Sequence, residues 1–404
     1  MALQTLQQSG ISNYRVLIYT MKVTFVTFHN WITKRIGGFH KLAEATSKAG
    51  HEVVFLSFAR PYYIMLKHEE RLNANVLKEL SNGVIYEIDN LGNKITNCTW
   101  PTLRIPQPLY RFLPSSINHF FQTHSLESFK KFQNKFLEGT EIFVFESCEG
   151  IELIDLIKKY NPKSKITYRP SDPIMLDNAN KENIRMEEKI MLQADMNYIV
   201  NLSGLELYRR KITNFDRRVK FTMLPNGVDT SLFALTYDCP DVLKKKNTFL
   251  YVGARVIEWD LIIKAAKERP EYNFVIVCPE NPPKNFEKNA SNLIYIPGIS
   301  PKDVPAWITN ASVIIVPNPK GWYKIKPWGI TAKYYQAMEA KKPIVVFEDT
   351  DELCQYGVYV SHDYTSFINY LDKAIQGSSK FKYAFPRADW DTICQKFINS
   401  ISCL

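Results

Sequence analysis

The chain has no Cys-x-x-Cys pair. Its seven cysteines (98, 148, 239, 278, 354, 394 and 403) are scattered and odd in number. That argues against a disulfide framework and reads as reduced thiols in a cytosolic setting. No apolar run approaches the roughly 20 residues that span a bilayer. Residues 1–20 also lack the continuous apolar stretch of a secretory signal. No Gly-x-Gly-x-x-Gly follows the first strand, and no Gly-x4-Gly-Lys-Ser/Thr occurs anywhere. These absences count against a dinucleotide oxidoreductase and a P-loop NTPase. No His/Cys cluster has metal-ligand spacing and no Asp-x-Asp falls in a plausible site, so no essential metal and no cofactor is expected. Acidic residues are in deficit: 41 Asp and Glu face 51 Lys and Arg, a formal net charge of +10. Such an excess suits an anionic partner, whether nucleotide, membrane surface, acidic sugar or nucleic acid. Solubility alone would account for it too, and charge does not choose among these.

What is present is a regular alternation of strand and helix. "KVTFVTFH" (22–29) reads as a buried strand and "GGFHKLAEATSKAG" (37–50) as an amphipathic helix stopped by Gly50. "HEVVFLSF" (51–58) is the next strand, which completes a βαβ unit and implies a parallel sheet. Further strands are expected at 84–88, 142–146, 165–168 and 197–200, with a helix over 149–162. A second series follows "LPNGVDTSLF". It has strands at 247–254, 273–278, near 293, 312–318 and 343–348, and helices at 258–269, 301–310, 331–341 and 364–376. The expected organisation is an N-terminal domain over 1–233, in which 1–20 is an extension before a fold that opens near Met21. A second α/β domain covers 234–376, and 377–404 holds a final helix. Open parallel sheets bind ligands beyond the carboxyl ends of their strands, so the loops there hold the candidates.

Four loops stand out. In "HNWITKRIGG", Gly37 and Gly38 permit close backbone approach at a helix start, with His29 nearby; a tight turn explains two glycines equally well. In "ITYRPSDPIM" (166–175), Pro170 and Pro173 restrict the backbone around Asp172 just beyond a strand. A rigid carboxylate there suits a general base. The local sequence alone favours an Asx turn or an N-cap of the following segment "PIMLDNANKENI". In "PNPKGWYKIKPWGITAKYYQAMEAKKP", Lys333 falls in the first turn of a helix and Gln336 lies three residues on, on the same face. A lysine at a helix start opposes the macrodipole, which a bound diphosphate would offset; a solvated lysine is the plain alternative. Lys320, Lys324 and Lys326, interleaved with Trp322, Tyr323 and Trp328, also suit a membrane surface. "WPTLRIPQPLYRFLPSSINHFF" (100–121) reads either as an exposed apolar patch for a lipid-linked acceptor or as a loop packed on the first domain.

The ordered blocks "GGFHKLAEATSKAGHEV", "PNGVD", "YVGAR", "GISPKDVPAWITNASVIIVPN" and "AKYYQAMEAKKPIVV" resemble GT-B glycosyltransferases that use sugar nucleotides. The resemblance implies an α/β fold of two Rossmann-like parallel-sheet domains facing a cleft. The first domain would bind acceptor and the second donor, and a C-terminal helix would cross back to the first. The stretch "EIFVFESCEGIELIDLIKKYNPKSKITYRPSD" is similar to the xanthan-type β-glucuronosyltransferase family, monotopic enzymes that act on a polyprenol-diphosphate oligosaccharide. By that resemblance Asp172 matches the catalytic base, Lys333 the donor-diphosphate lysine and Gln336 a nucleotide contact. Asp229 matches an aspartate near the active site and Glu258 an acidic residue on the donor side. Arg255 stands where the narrower family has an uncharged residue, and Asn318 where it has an aromatic one.

Many retaining GT-B enzymes carry a Glu-x7-Glu pair. Here the two positions are Trp328 and Gln336, which favours inversion. The expected activity is therefore inverting transfer from a UDP-sugar, glucuronic acid by the narrower resemblance, to a glycan or lipid-linked oligosaccharide. Peripheral contact with an anionic membrane from the cytoplasmic side is expected, and no nucleic-acid partner. The rivals are another donor or a soluble acceptor, a non-catalytic sugar-nucleotide sensor, and a nucleic-acid binder, against which the absence of any recognised module speaks.

Overall fold

The structure is a computed structural model. It describes residues 19–404 apart from 34–35, 64–73, 107–108, 110–111, 178, 180, 254–255, 285, 287–289, 323–329 and 378–387. Two compact units emerge. The first runs to Val200 and takes in Tyr208–Leu224 and Cys394–Leu404; the second comprises Asn201–Leu207 and Pro225–Ile393.

The first unit is built on eight strands: β1 (Lys22–Thr27), β2 (Glu52–Pro61), β3 (Val84–Glu87), β4 (Lys94–Thr102), β5 (Ile142–Glu146), β6 (Lys165–Arg169), β7 (Met196–Ile199) and β8 (Phe221–Met223). Their order is β3-β4-β2-β1-β5-β6-β7-β8. Every pairing is parallel except β3 with β4. Helices flank a parallel sheet on both faces, so its central strands read as unbroken apolar runs rather than alternating ones. β5 (IFVFE) is buried at every position, its final glutamate included.

Helix Gly38–Lys48 turns Phe39, Leu42 and Ala43 inward. It stops where Gly50 takes φ +88° and donates to Ser47 O, the left-handed exit that glycine makes without Cβ strain. The antiparallel β3–β4 hairpin departs from the purely parallel expectation. Its turn is closed by Gly92 at φ +85° and by the Asp89 carboxylate, which accepts from the Leu91 and Asn93 amides. β4 absorbs the start of the 100–121 stretch, and Trp100 is buried with its indole N–H on Thr123 O. The helix expected over 149–162 opens as a 3-10 turn, Glu149–Leu153, and becomes α-helical over Ile154–Tyr160.

Helix Trp390–Ser402 ends the chain, and its residues from Cys394 onward belong to the first unit. Phe397 is fully buried between Phe25 and Tyr198, with ring centroids at 6.1 and 5.3 Å. The Tyr198 hydroxyl meets Ser400 Oγ at 2.9 Å.

The second unit carries six parallel strands: β9 (Thr248–Val252), β10 (Asn273–Val277), β11 (Leu293–Ile296), β12 (Val313–Pro317), β13 (Ile344–Phe347) and β14 (Tyr359–Ser361). Their order is β11-β10-β9-β12-β13-β14. Helices Trp259–Glu268, Val304–Asn310, Ala332–Glu339 and Tyr364–Gly377 supply the covering layers. In each sheet the strand order reverses direction once along the chain, at β1/β5 in the first and at β9/β12 in the second. Such a switch point opens a crevice beyond the carboxyl ends of the two strands and is the favoured ligand position in open α/β sheets.

Candidate active site

The first switch point is lined by the ends of β1, β5 and β6. Glu146 closes β5 with only 3% of its surface exposed. Thr27 Oγ1 donates to its Oε2, and Ser171 Oγ donates to its Oε1 at 2.8 Å. Burial raises the Glu146 carboxyl above the ordinary range, while those two hydroxyls and the charge of Arg169 pull it back. Arg169 closes β6 fully buried. Burial lowers its guanidinium to about 10, against the pull of Glu146.

Asp172 follows in a short exposed loop. Its amide donates to Ser147 Oγ at 3.1 Å. Beyond Pro173 the loop meets a second buried carboxylate, Glu187. Glu187 accepts from the amides of Ile174 and Met175 at 2.8 and 2.5 Å and from the hydroxyls of Tyr168 and Tyr208 at 2.7 and 2.8 Å. Asp172 is therefore exposed on a backbone anchored on both sides, a placement that suits general-base work. The helix that follows begins only at Lys181, so Asp172 is not its N-cap. Glu146, Ser147, Arg169 and Glu187 are not among the residues singled out from the sequence. Glu146 and Arg169 do carry one sequence signal, charge at the end of an apolar run, which a buried strand tolerates only with partners, and with Ser147 they stand in the block that carries the narrower resemblance. Glu187, inside helix Lys181–Gln193, has no such signal.

His29 and Gly37 border the same switch point. The His29 amide donates to Thr27 Oγ1 at 3.1 Å, and its carbonyl accepts from Ser57 Oγ at 2.6 Å. Its ring lies 5.3 Å from that of His40. Gly37 precedes the helix that starts at Gly38, and a Cβ at Gly37 would meet nothing within 4 Å. This glycine leaves open space rather than relieving a clash.

The second switch point gathers most of the donor-side candidates. Lys333 Nζ lies 4.6 Å from the Tyr251 ring centroid, over the end of β9. A Cβ on Gly253 would come within 2.6 Å of the Tyr251 hydroxyl and 2.9 Å of Lys333 Nζ. Gly253 is therefore what lets lysine and tyrosine close over this strand end. Gln336 is half-buried one turn further along the same helix. Glu258 is tied to the end of β12: its amide donates to Pro317 O at 2.9 Å, and its carboxylate accepts from the Lys320 amide at 3.1 Å.

Asn318 is buried beside them and donates to Glu348 O and Asp349 Oδ2 at 3.2 and 3.4 Å. Asp349 also accepts from the Tyr334 hydroxyl at 2.5 Å. The Asp-x-Asp triplet Asp349-Thr350-Asp351, not expected to fall in a plausible site, begins beside Asn318 at the end of β13, with its first carboxylate engaged by two side chains. Among the described residues no group of three or more His, Cys, Asp or Glu could hold a metal ion. Asp229 stands apart at the N-cap of the short helix Thr230–Phe233, which packs against the Lys333 helix. Arg255, Tyr323, Lys324, Lys326 and Trp328 lie outside the described residues.

Comparison with known proteins agrees with this architecture. Residues 25–200 match the family model of the N-terminal domain of the glucuronosyltransferase GumK. No curated protein matches the chain in sequence. Solved structures are similar over nearly the whole length. Sucrose-phosphate synthase from Thermosynechococcus elongatus has a TM-score of 0.65 at 11% identity, covering 95% of this chain and 98% of that one. Anabaena HepE, solved in complex with UDP-glucose, has a TM-score of 0.57 at 10% identity over 95% and 100%. The E. coli trehalose-6-phosphate structure bound with UDP-2-fluoro glucose has a TM-score of 0.58 at 9% identity over 95% and 99%. The chain thus has the GT-B glycosyltransferase fold of two Rossmann-like domains, and its first domain is similar to that of the glucuronosyltransferase GumK.

Proposed function

We propose that the chain is an inverting glycosyltransferase that transfers glucuronic acid from a UDP-sugar to a lipid-linked oligosaccharide in polysaccharide assembly. The observation that carries this reading is Asp172, exposed at the end of β6 with its amide on Ser147 and its loop secured by Glu187. An acceptor hydroxyl attacks the anomeric carbon as Asp172 takes its proton. The bond to the UDP oxygen breaks on the opposite face, through an oxocarbenium-like transition state. Charge then builds on the leaving diphosphate, which Lys333 stabilises electrostatically. Gln336, Glu258, Asn318, Asp229 and Arg255 complete the donor side. His29, Gly37 and Gly38 border the acceptor side. Lys333 supplies the positive charge that the leaving group requires, so turnover is expected to persist in excess EDTA.

The UDP-glucose and UDP-2-fluoro glucose complexes of the structural relatives support the donor class, and the GumK match supports the glucuronosyl group. The deciding experiment is Asp172→Asn, assayed for UDP release and product. Turnover should fall by about 10²–10⁴-fold with UDP affinity unchanged. Full activity in this variant would remove Asp172 from the mechanism.

No described helix is long and apolar enough to cross a membrane. Attachment is proposed to be peripheral, through the segment that exposes Leu109, Phe112, Ile117, Phe120 and Leu126. That exposure favours the lipid-facing reading of 100–121 over the packed-loop reading.

A further inference from the structure

A second opening lies beside the Asp172 loop, wholly within the first unit. It is a cavity of about 670 Å³ whose walls include Arg104, His119, Ser147, Glu152, Ile174 and Asn183. That size falls within the range of small-molecule pockets, roughly 300–1,000 Å³. Its floor is Glu152, whose side chain is 3% exposed. His119 Nδ1 lies 2.9 Å from Glu152 Oε2, and the Gln122 amide donates to the same carboxylate once its NH₂ is turned toward it. Burial raises the Glu152 carboxyl, partly offset by the His119 hydrogen bond; the same bond raises the His119 imidazole.

The charges decide the ligand class. Arg104 is spent on Glu149 at 3.1 Å, and Lys181 shares the rim with Glu182. Three carboxylates face two permanent cations, so a phosphate would meet more repulsion than attraction. Acceptors and donors at close spacing, without net positive charge, suit a neutral polyhydroxyl ligand. The wall also includes both ends of the Asp172 anchorage. Ser147 lines the pocket and holds the Asp172 amide; Ile174 lines it two residues beyond. On helix Ser115–Thr123, Asn118, His119 and Gln122 face the pocket while Ile117 and Phe120 are exposed.

We infer that this pocket is the subsite for the neutral sugar of an amphiphilic acceptor: hydroxyls read by Glu152, His119 and Asn183, lipid left on the outer face of helix Ser115–Thr123. The inference rests on the glycosyltransferase reading for the reaction, but its binding claim stands apart from the donor. The test is titration of the full chain with cellobiose, mannobiose and inorganic phosphate, followed by saturation-transfer NMR, with UDP as a separate probe. At least one disaccharide should bind. Glu152→Gln and, as a second variant less exposed to misfolding, Asn183→Leu should each weaken it about tenfold or more, because a site built for hydroxyls loses much when one partner is removed. UDP affinity should not change in either variant. The inference is overturned if neither disaccharide binds, if both variants bind as the parent does, or if phosphate displaces the sugar. Loss of UDP binding by the parent chain would instead strike the donor reading and leave the pocket standing.

Discussion

At the scale of single residues, the candidate base is ordinary and its surroundings are not. Asp172 is exposed, and its fixity comes from Ser147 on one side and Glu187 on the other. Glu187 satisfies four donors from a fully buried position. Removing it orphans those donors, each at a cost of about 1–3 kcal/mol. Glu187→Ala should therefore lose at least about 3 kcal/mol in urea denaturation, while Glu187→Gln, which keeps an acceptor, should lose less. Equal losses would show that the hydrogen bonds are not what holds the loop. The His119–Glu152 contact makes a pH prediction. His119 is held above its ordinary 6.5, chiefly by the Glu152 hydrogen bond. A histidine raised in the folded state stabilises it below the unfolded value and loses that contribution as pH rises through the folded one. The melting-temperature gap between the parent and His119→Gln should be larger near about pH 6 than near about pH 9. A gap that widens with pH would contradict the pairing.

At the scale of elements, two glycines set how strand ends meet their neighbours. Gly253 lets Tyr251 and Lys333 close over the end of β9. The Tyr251 ring is buried, so an added methyl displaces the flexible lysine and also presses on the Tyr251 hydroxyl, 2.6 Å from the new Cβ. Gly253→Ala should weaken UDP binding by about tenfold through loss of a charge contact to the diphosphate, and should also cost about 1–3 kcal/mol of stability by overpacking against Tyr251. Unchanged affinity would place the diphosphate elsewhere. Gly227, in the "PNGVD" block, lies under the indole of Trp390, and a Cβ there would come within 2.7 Å of the ring. That segment is stitched to 388–390 by backbone bonds from Val228 to Ala388 and from Trp390 to Val228. Gly227→Ala should cost about 1–3 kcal/mol by overpacking, read from chemical denaturation. No change would mean that the indole moves freely.

For the whole molecule, net charge and one apolar segment act together. On the proposed peripheral attachment, a formal charge of +10 would draw the chain toward anionic lipid, with a pull that falls as salt shortens the Debye length. The exposed side chains of Leu109, Phe112 and Leu126 (62%, 86% and 78%) supply the apolar part, which salt does not screen. In vesicle flotation, phosphatidylglycerol should capture more protein than phosphatidylcholine, and salt should reduce the excess. Phe112→Ser should cut capture on both. Binding insensitive to both lipid charge and Phe112→Ser would remove the membrane reading.

Much of this was legible in the residues themselves. Strand and helix alternation is written in contiguous apolar periodicity, so the two α/β series and the helix carrying Lys333 could be placed without tertiary information. The short block ending at Asp172 also sufficed to single out that residue. Locally, however, it still read as an Asx-turn or helix-cap residue, and only the structure showed the helix starting at Lys181, which removes the cap. β4, the Asp349 contact with Asn318, the two buried glutamates and the pocket beside the Asp172 loop were equally hidden. Their partners are distant in sequence: 25 residues separate Ser147 from Asp172, and 119 separate Thr27 from Glu146. Periodicity reports which face of an element is apolar. It does not report which buried polar group meets which, because that depends on strand order, and strand order is decided by packing of the whole sheet.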